Sequence, residues 1–375
     1  MKTFSIRNHP MIRLSGRFDP VQEGFPMLWS AASAEMNVRG ASLEVQISCT
    51  YHEYKPYLSF EVDGLRAQTF APLPGKHWYS VFLHLNPNTV HRVQIIKESQ
   101  AFENDRTAGC VLLKGRTDGV LEPLAPRKRK IEFIGDSLTS GEGGRGPRSF
   151  MEWVPMCFNA SDNYPRLVAD QLDAQYQLVS QSGWGVHCGW NNDPHCRLPR
   201  FYDQICGPQA GETPEENWGS GKPYDFSFQP DDIVIALGAN DRGALLQPPF
   251  VDPITGRESK LHDTPEDLRL FEEEVLAFLE HLHQKNPTAR LAWFSYYLDN
   301  SIVQATRRAI ERAAAEGISV PFRRLAGPSK GRQRKESAFR SAQWTANIFP
   351  PRGREAAIIR GLGSNSRWRA KWFAC

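Results

Sequence analysis

The hydrophobic pattern of this chain changes at the stretch PLAPRKRK, and that change limits the folds the chain can adopt. Upstream, ASLEVQISCT alternates apolar and polar residues, which predicts a strand with Leu43, Val45 and Ile47 on one face. The segment YLSFEVDGLRAQTF predicts a hairpin that turns at Asp63 and Gly64. Several short strands separated by turn residues predict an antiparallel β-sandwich.

Downstream of that stretch, the apolar runs IEFIG, YQLVSQSG, DDIVIALGAND and ARLAWFSYY do not alternate, and helical segments separate them. The longest helix is predicted to begin at Thr264, in a Thr-x-x-Asp capping pattern. Such strands imply a parallel sheet buried on both faces. We therefore predict an α/β chain with a β-sandwich at 1–125, a linker, a parallel-sheet domain at 131–318 and an atypical tail at 319–375.

Composition favours an ordinary globular protein, and the serine chemistry considered below needs no metal or organic cofactor. The chain has 375 residues, of which 40% are apolar and 23% charged. No run approaches the roughly 18 apolar residues of a membrane helix, and the first residues lack the apolar stretch of a secretory signal, so we expect a cytoplasmic location. The seven cysteines form no CxxC pair. Free thiols are favoured, although Cys188 and Cys196, beside His187 and His195, leave a small metal site open.

Three of the predicted parallel strands end on residues that could act together. Ser137 follows the first strand, Gly183 the second and Asn240 the third. The carboxyl ends of parallel strands lie along one edge of the sheet, so these residues can converge. A serine hydroxyl is a possible nucleophile, and a glycine N–H and an asparagine amide are donors for an oxyanion. Each pattern alone is more typical of an ordinary turn, but their order on successive strands favours an acyl-transfer site.

The blocks GDSLTSGEG, SGWGV and LGAND resemble the first three sequence blocks of the SGNH (GDSL-type) hydrolases. Those proteins are esterases and lipases on a flavodoxin-like α/β/α fold. The segments NYPRLVADQLDAQYQLVSQSGWGV and LWSAASAEMNVRGASLEVQI are similar to carbohydrate esterase family 2. In that family a jelly-roll domain precedes the hydrolase domain, and the enzymes deacetylate plant polysaccharides. The resemblance covers residues 15–318 and implies hydrolysis of small O-acetyl esters on carbohydrates.

By position, the resemblance makes Ser137 the nucleophile, with its own N–H in the oxyanion hole. It makes the Gly183 N–H and the Asn240 side chain the other donors, without a metal. Asp136 would orient the serine loop. Trp184 and Trp190 either stack on sugar rings or pack the long loop that follows the second strand. The expected partner is a small-molecule or polysaccharide ester; no nucleic acid or membrane partner is expected, and the oligomeric state is left open.

The resemblance also implies a catalytic histidine in an Asp-x-x-His block near the C-terminus, and this sequence has none there. Its last histidine is His283 and its last aspartate is Asp299. A serine hydroxyl is a poor nucleophile without a base. The general base is therefore unknown, with His187 or His195 as stand-ins near Ser137. We expect impaired turnover, and the alternative is a non-catalytic carbohydrate-binding protein.

The tail at 319–375 differs in charge from the rest of the chain. It holds ten arginines and three lysines against two glutamates, a net charge of +11 that leaves −8 for the preceding residues. It could be a basic extension for an anionic partner, a divergent or disordered segment, or the product of a reading-frame shift near Ile318. The abrupt change favours the frame shift. Translation of the other two frames after codon 318 should then yield an Asp-x-x-His block.

Overall fold

The computed structural model describes residues 1–105, 107–147, 150, 152–209, 218–296 and 299–324. Its N-terminal part is built from two antiparallel sheets. The first contains β1 (Lys2–Ser5), β3 (Phe25–Met27), β5 (Leu43–Thr50), β8 (Gly75–Phe82) and β10 (Gly109–Thr117). These strands lie in the order β1-β10-β5-β8, with β3 also paired to β10.

The second sheet packs against the first through a shared apolar core. It contains β2 (Ile12–Ser15), β4 (Ser33–Arg39), β6 (Leu58–Val62), β7 (Leu65–Phe70), β9 (Val90–Lys97) and β11 (Val120–Glu122). Its order is β11-β4-β9-β6-β7, with β2 beside β4. The antiparallel sandwich is therefore confirmed. Asp63 and Gly64 form the β6–β7 turn, both at positive φ, as a tight hairpin requires.

The C-terminal part is built on a five-stranded parallel sheet, which confirms the predicted α/β class. The strands are β12 (Arg129–Gly135), β13 (Ala174–Ser180), β14 (Asp232–Ala236), β17 (Arg290–Ser295) and β18 (Phe322–Arg324). They lie in the order β13-β12-β14-β17-β18. A small hairpin, β15 (Phe250–Val251) and β16 (Glu258–Ser259), extends from the connection after β14.

Within the described residues, the α-helices that connect or cover these strands are α1 (Ser137–Ser140), α2 (Tyr164–Gln171), α3 (Ala239–Ala244), α4 (Pro265–Lys285) and α5 (Ser301–Ala315). Short 3-10 turns lie at Pro155–Cys157, Ala160–Asp162 and Leu198–Phe201. The side chain of Thr264 accepts a hydrogen bond from the N–H of Asp267, so the predicted cap of the long helix is present.

Both faces of the parallel sheet are buried, which explains the continuous apolar run from Ile233 to Ala236 in its central strand β14. On β14, Ile233 and Ile235 enter one core with α4 and α5, whereas Val234 and Ala236 enter another with α2. Adjacent residues of a strand point to opposite faces. A strand that is covered by helices on both faces therefore shows no regular alternation of apolar and polar residues.

A buried ion pair joins the sandwich to the parallel-sheet part. Arg17, between β2 and β3, contacts Glu132 of β12 at 2.9 Å, and both side chains are almost inaccessible to solvent. The hydroxyl of Tyr202 donates to the second carboxylate oxygen of Glu132 at 2.6 Å. Nearby, the indole N–H of Trp29 donates to the carbonyl of Ile205 at 2.7 Å. The two parts thus share buried polar contacts.

The domain limits at 1–125, 131–318 and 319–375 stay predictions. Several of these strands were not predicted, among them β18, at Phe322–Arg324, which lies within the range assigned to the tail. Three residues are too few for a period to be detected. The rest of the tail, from residue 325, lies outside the described residues.

Candidate active site

The strand register brings the three predicted residues to one edge of the parallel sheet. Gly135 of β12 is aligned with Ser180 of β13 on one side and with Ala236 of β14 on the other. The nucleophile candidate Ser137 lies two residues past this level, and Gly183 and Asn240 lie three and four residues past it on the neighbouring strands. All three are partly exposed, although the strands that carry them are buried.

The turn that carries Ser137 requires a glycine before it. A Cβ on Gly135 would lie 1.9 Å from the hydroxyl oxygen of Thr139. After the glycine, Asp136 caps α1 by accepting the N–H of Leu138 at 3.1 Å. The carbonyl of Ser137 then accepts the N–H of Gly141, at 3.0 Å, which closes the helix in the left-handed conformation. The chain therefore passes from strand to helix within very few residues.

Side chains from β13 and from the residue that precedes α2 hold this turn in place. The amide of Asn163 caps α2 and also donates to the carbonyls of Leu138, at 2.7 Å, and Thr139, at 2.9 Å. The hydroxyl of Ser140 donates to that of Ser180 at 2.9 Å. Asn163 was not predicted, and its only signal is an asparagine before a helix with proline at its second position.

Asp136 has an unusual electrostatic environment. Burial raises the pKa of its carboxyl group to about 7, and the nearby charges of Glu142 and Asp241 act in the same direction. The hydrogen bond from Leu138 opposes that rise. Its second oxygen has no hydrogen-bond partner within the described ranges. The contact with Leu138 fits the predicted orienting role, which stays a prediction.

The conformation of the segment that carries Gly183 depends on a glycine at positive φ and on hydrogen bonds to backbone carbonyls. Gly183 lies at φ 79°, in the left-handed region that favours glycine, and a Cβ there would meet the Trp190 ring at 3.0 Å. Its carbonyl accepts the N–H of Trp190 at 2.9 Å. The amide nitrogen of Asn240 donates to the carbonyl of Trp184 at 2.8 Å. An asparagine amide has two N–H donors, so one can hold this segment while the other serves an oxyanion.

Asp241, the residue after Asn240, anchors the same segment from within the protein. Its buried carboxylate accepts the backbone N–H of Val186 at 3.0 Å, of His187 at 2.8 Å and of Cys188 at 3.3 Å. Burial nevertheless raises the pKa of Asp241, against the effect of these bonds. No role was predicted for Asp241, although an acid directly after a strand-end asparagine is a signal in the sequence.

The two stand-in histidines are engaged with other carboxylates. The Nδ1 atom of His187 lies 2.7 Å from Glu274 of α4, and although burial acts to lower its pKa, this carboxylate raises it. The Nε2 atom of His195 lies 3.4 Å from Asp252, and its side chain is largely exposed. Among the described residues, no hydrogen bond joins either imidazole to Ser137. The general base therefore stays unknown.

The two candidate tryptophans differ in exposure. Trp184 is 4% exposed and lies in the core, where its ring packs 5.1 Å from that of Phe201. Trp190 is 51% exposed and lies beside Gly183. For Trp184 the packing interpretation therefore replaces the predicted sugar contact, because a buried ring has no free face. Trp190 keeps an accessible surface.

The six cysteines that the structure describes are all free. Over the described ranges, His, Cys, Asp and Glu side chains nowhere come together in a group of three or more that could hold a metal ion. Nor does any helix in this part of the chain have the length and apolarity to cross a membrane. The cytoplasmic location stays a prediction.

Comparison with known proteins identifies the family. A model of the GDSL-like lipase/acylhydrolase family matches residues 133–342, which is more than half of the chain. The chain belongs to that family. A second family model, of the carbohydrate esterase 2 N-terminal domain, matches residues 14–115. The two matches together confirm the resemblance to carbohydrate esterase family 2, with its sandwich and its GDSL-like domain.

Individual relatives of this GDSL-like chain are carbohydrate esterases. An acetyl xylan esterase, Est2A from Butyrivibrio proteoclasticus, is 30% identical, with a TM-score of 0.87 over 93% of this chain and 99% of that chain. An acetylxylan esterase / glucomannan deacetylase of Cellvibrio japonicus is 35% identical over 42% of this chain and 41% of its own length. A second protein of that name and organism is 29% identical over 70% of this chain.

The matches span at most 66% of the length of the curated relatives. A family two carbohydrate esterase from Clostridium thermocellum, solved with cellohexaose, is 20% identical with a TM-score of 0.72 over 90% of this chain. At that identity the likeness supports the shared fold.

Proposed function

We propose that this chain is a serine esterase of the GDSL type that hydrolyses small acyl esters, with O-acetyl groups on carbohydrates as its substrates. Ser137 attacks the acyl carbonyl, and the N–H of Gly183 and the amide of Asn240 stabilise the oxyanion. The observation that carries this proposal is the register of β13, β12 and β14, which aligns the strand ends from which these three residues extend. Donors held in place before the reaction are the main source of catalysis in such sites.

The substrate class rests on the relatives and on one side chain. Both the Cellvibrio and the Butyrivibrio relatives are named for acetylated xylan, and the former also for glucomannan. Trp190 offers an exposed aromatic surface beside Gly183. Flat aromatic faces pack well against the apolar faces of sugar rings, so we assign Trp190 to the glycan and leave Trp184 to the core.

Turnover is expected to be weak, because no residue is identified to take the proton of Ser137. The chain has no histidine after His283. Loss of a general base typically lowers such rates by about 10²–10⁴-fold. The remaining donors would still give some acceleration over water.

A fluorophosphonate probe, which reacts with activated serines, tests this function directly. We expect slow labelling of the wild-type protein and none of the Ser137→Ala variant, with the partly exposed Ser259→Ala as a matched control that labels like wild type. Equal labelling of Ser137→Ala would exclude Ser137 as the nucleophile. Fast labelling of the wild type would show that a base is present.

The missing histidine favours a second candidate, a carbohydrate-binding protein without turnover. The two candidates differ in one measurement, acetate release from acetylated xylan or glucomannan. The esterase releases acetate at a rate that falls in Ser137→Ala. The binding protein is retarded in a gel that contains the polysaccharide. Ser137→Ala then changes neither this retardation nor the background release of acetate.

A further inference from the structure

The segment Lys97–Phe102, which begins at the last residue of β9, is buried along its whole length although it leaves the sandwich. From Lys97 to Phe102 no residue is more than 3% exposed, and two of the six are charged. Connecting segments normally run over the surface, because their backbone groups need water. This segment instead lies between the sandwich and the GDSL-like part, and its polar groups find partners in both.

Its charged residues are fully engaged. The ammonium group of Lys97 donates to the carbonyl of Leu28 at 2.7 Å and to that of Gln100 at 2.6 Å. The carboxylate of Glu98 accepts the N–H of Ser161, at 3.1 Å, and its hydroxyl, at 2.5 Å. These bonds hold the segment against the sandwich on one side and, through Ser161, against the connection between α1 and α2 on the other.

The far end of the segment contacts the second strand end of the candidate site. The side-chain oxygen of Gln100 accepts the N–H of Ser182 at 2.8 Å. The amide of Gln181 donates to the carbonyl of Ala101 at 3.1 Å and to Glu103. The two residues immediately before Gly183 are thereby tied to the sandwich. Gly183 has no side chain of its own to fix the direction of its N–H.

We propose that Gln100, a residue of the sandwich part, is a positioning residue for the oxyanion donor Gly183. This role of Gln100 rests on the proposed function and extends that function, because it gives the N-terminal part of the chain a role in the reaction. By holding the N–H of Ser182, Gln100 limits rotation of the backbone that aims the next N–H. The sandwich is then a component of the active site.

The test compares three variants. Gln100→Leu removes the acceptor, Gln100→Glu keeps an oxygen at the same position, and Gln209→Leu is a matched control. Gln209 is another buried glutamine, whose amide donates to the carbonyl of Ala108 at 2.9 Å. Two quantities are measured: hydrogen–deuterium exchange of the backbone N–H of Ser182, and kcat and KM for a small acetyl ester.

We expect exchange at Ser182 to rise roughly tenfold in Gln100→Leu, as for one lost hydrogen bond, and kcat to fall by a similar factor with KM unchanged. Gln100→Glu should restore both, and Gln209→Leu should change neither. Unchanged exchange in Gln100→Leu overturns the proposal, and so does raised exchange with wild-type kcat. An equal loss of kcat in Gln209→Leu also overturns it, because the effect would then be general loosening.

The two proposals fail in different ways. If the wild-type protein hydrolyses no ester, the proposed function is wrong, and exchange at Ser182 alone decides whether Gln100 holds this segment. If the wild type is active and Gln100→Leu is equally active, the esterase proposal stands and the role of Gln100 is wrong.

Discussion

Asp136 combines two properties that rarely occur together: it caps the helix that starts with Ser137, and it is completely buried. A capping carboxylate normally gains from its charge, whereas burial disfavours the charge. Here burial dominates, and the pKa of Asp136 rises to about 7. The residue before the nucleophile candidate therefore changes charge near neutral pH.

This pKa predicts how stability depends on pH. Between the ordinary aspartate pKa of about 4 and the folded value of about 7, the folded protein keeps a proton that the unfolded chain has lost. The free energy of unfolding should therefore fall as pH rises through this window, by on the order of 4 kcal/mol from this group at most. Asp136→Asn keeps the acceptor oxygen and should flatten the fall, as measured by urea unfolding at several pH values.

Asp252→Asn is the matched control for that series. Backbone N–H groups of Thr255 and Ile254 lower the pKa of Asp252 to about 2, so its contribution to stability is lost only as pH falls below about 4. It should leave the window between pH 4 and 7 unchanged. An unaltered slope in Asp136→Asn would show that its carboxyl group titrates normally.

The sequence allowed us to predict residues that lie at the end of an apolar strand. It did not allow us to predict residues whose role depends on a contact with a distant segment. Ser137, Gly183 and Asn240 each end an apolar run, so strand prediction alone brought them to one edge. Gln100 and Asn163 contact their partners from segments far away in the chain. No local pattern encodes such a contact, and only the packed structure reveals it.

At the scale of elements, β12 and α1 meet so closely that their junction tolerates only glycine. A Cβ on Gly135 would lie 1.9 Å from the Thr139 hydroxyl oxygen and 3.0 Å from the carbonyl of Ala236. The first neighbour belongs to α1 and the second to β14. The glycine thus allows a helix and a neighbouring strand to approach the same backbone position.

Gly135→Ala should therefore destabilise the protein by about 1–3 kcal/mol, the usual cost of overpacking. It should also slow labelling of Ser137, because α1 must move to admit the methyl group. Guanidinium unfolding measures the first effect and the fluorophosphonate probe the second. Gly221→Ala, where an added Cβ meets nothing within 4 Å, is the control. Wild-type stability in Gly135→Ala would mean that Thr139 can move aside.

The longest helix was predicted, whereas the seven-residue strand β4 and several very short elements were not. The long helix α4 and its Thr264 cap followed directly from periodicity and capping chemistry. The hairpin β15–β16 and the last strand β18 have two or three residues each, too few for a hydrophobic period to show. Pairing with a neighbouring strand defines these elements.

At the scale of the whole molecule, the ion pair of Arg17 and Glu132 links the two parts in a buried setting. The guanidinium group also lies over the rings of Tyr202, at 4.6 Å, and Tyr224, at 4.2 Å. A buried pair is a weak source of net stability, but removing one partner leaves an uncompensated charge.

Glu132→Gln should accordingly cost about 3–5 kcal/mol of unfolding free energy, because Arg17 stays buried without its counter-ion. The double variant Arg17→Met/Glu132→Leu should lose less unfolding free energy than the sum of the losses in Arg17→Met alone and Glu132→Leu alone. Glu122→Gln, in a more exposed pair with Arg39, serves as the control and should cost about 1 kcal/mol or less. Additive costs at Arg17 and Glu132 would contradict the coupling.

The buried course of Lys97–Phe102 also has a consequence for protein engineering. A chimera that joins the sandwich of one relative to the hydrolase part of another at the linker would separate Gln100 from Ser182 and Glu98 from Ser161. Sequence changes on one side of the linker are therefore expected to be inherited together with changes on the other. A chimera should therefore keep the native contacts only when both residues of each contact pair come from the same parent.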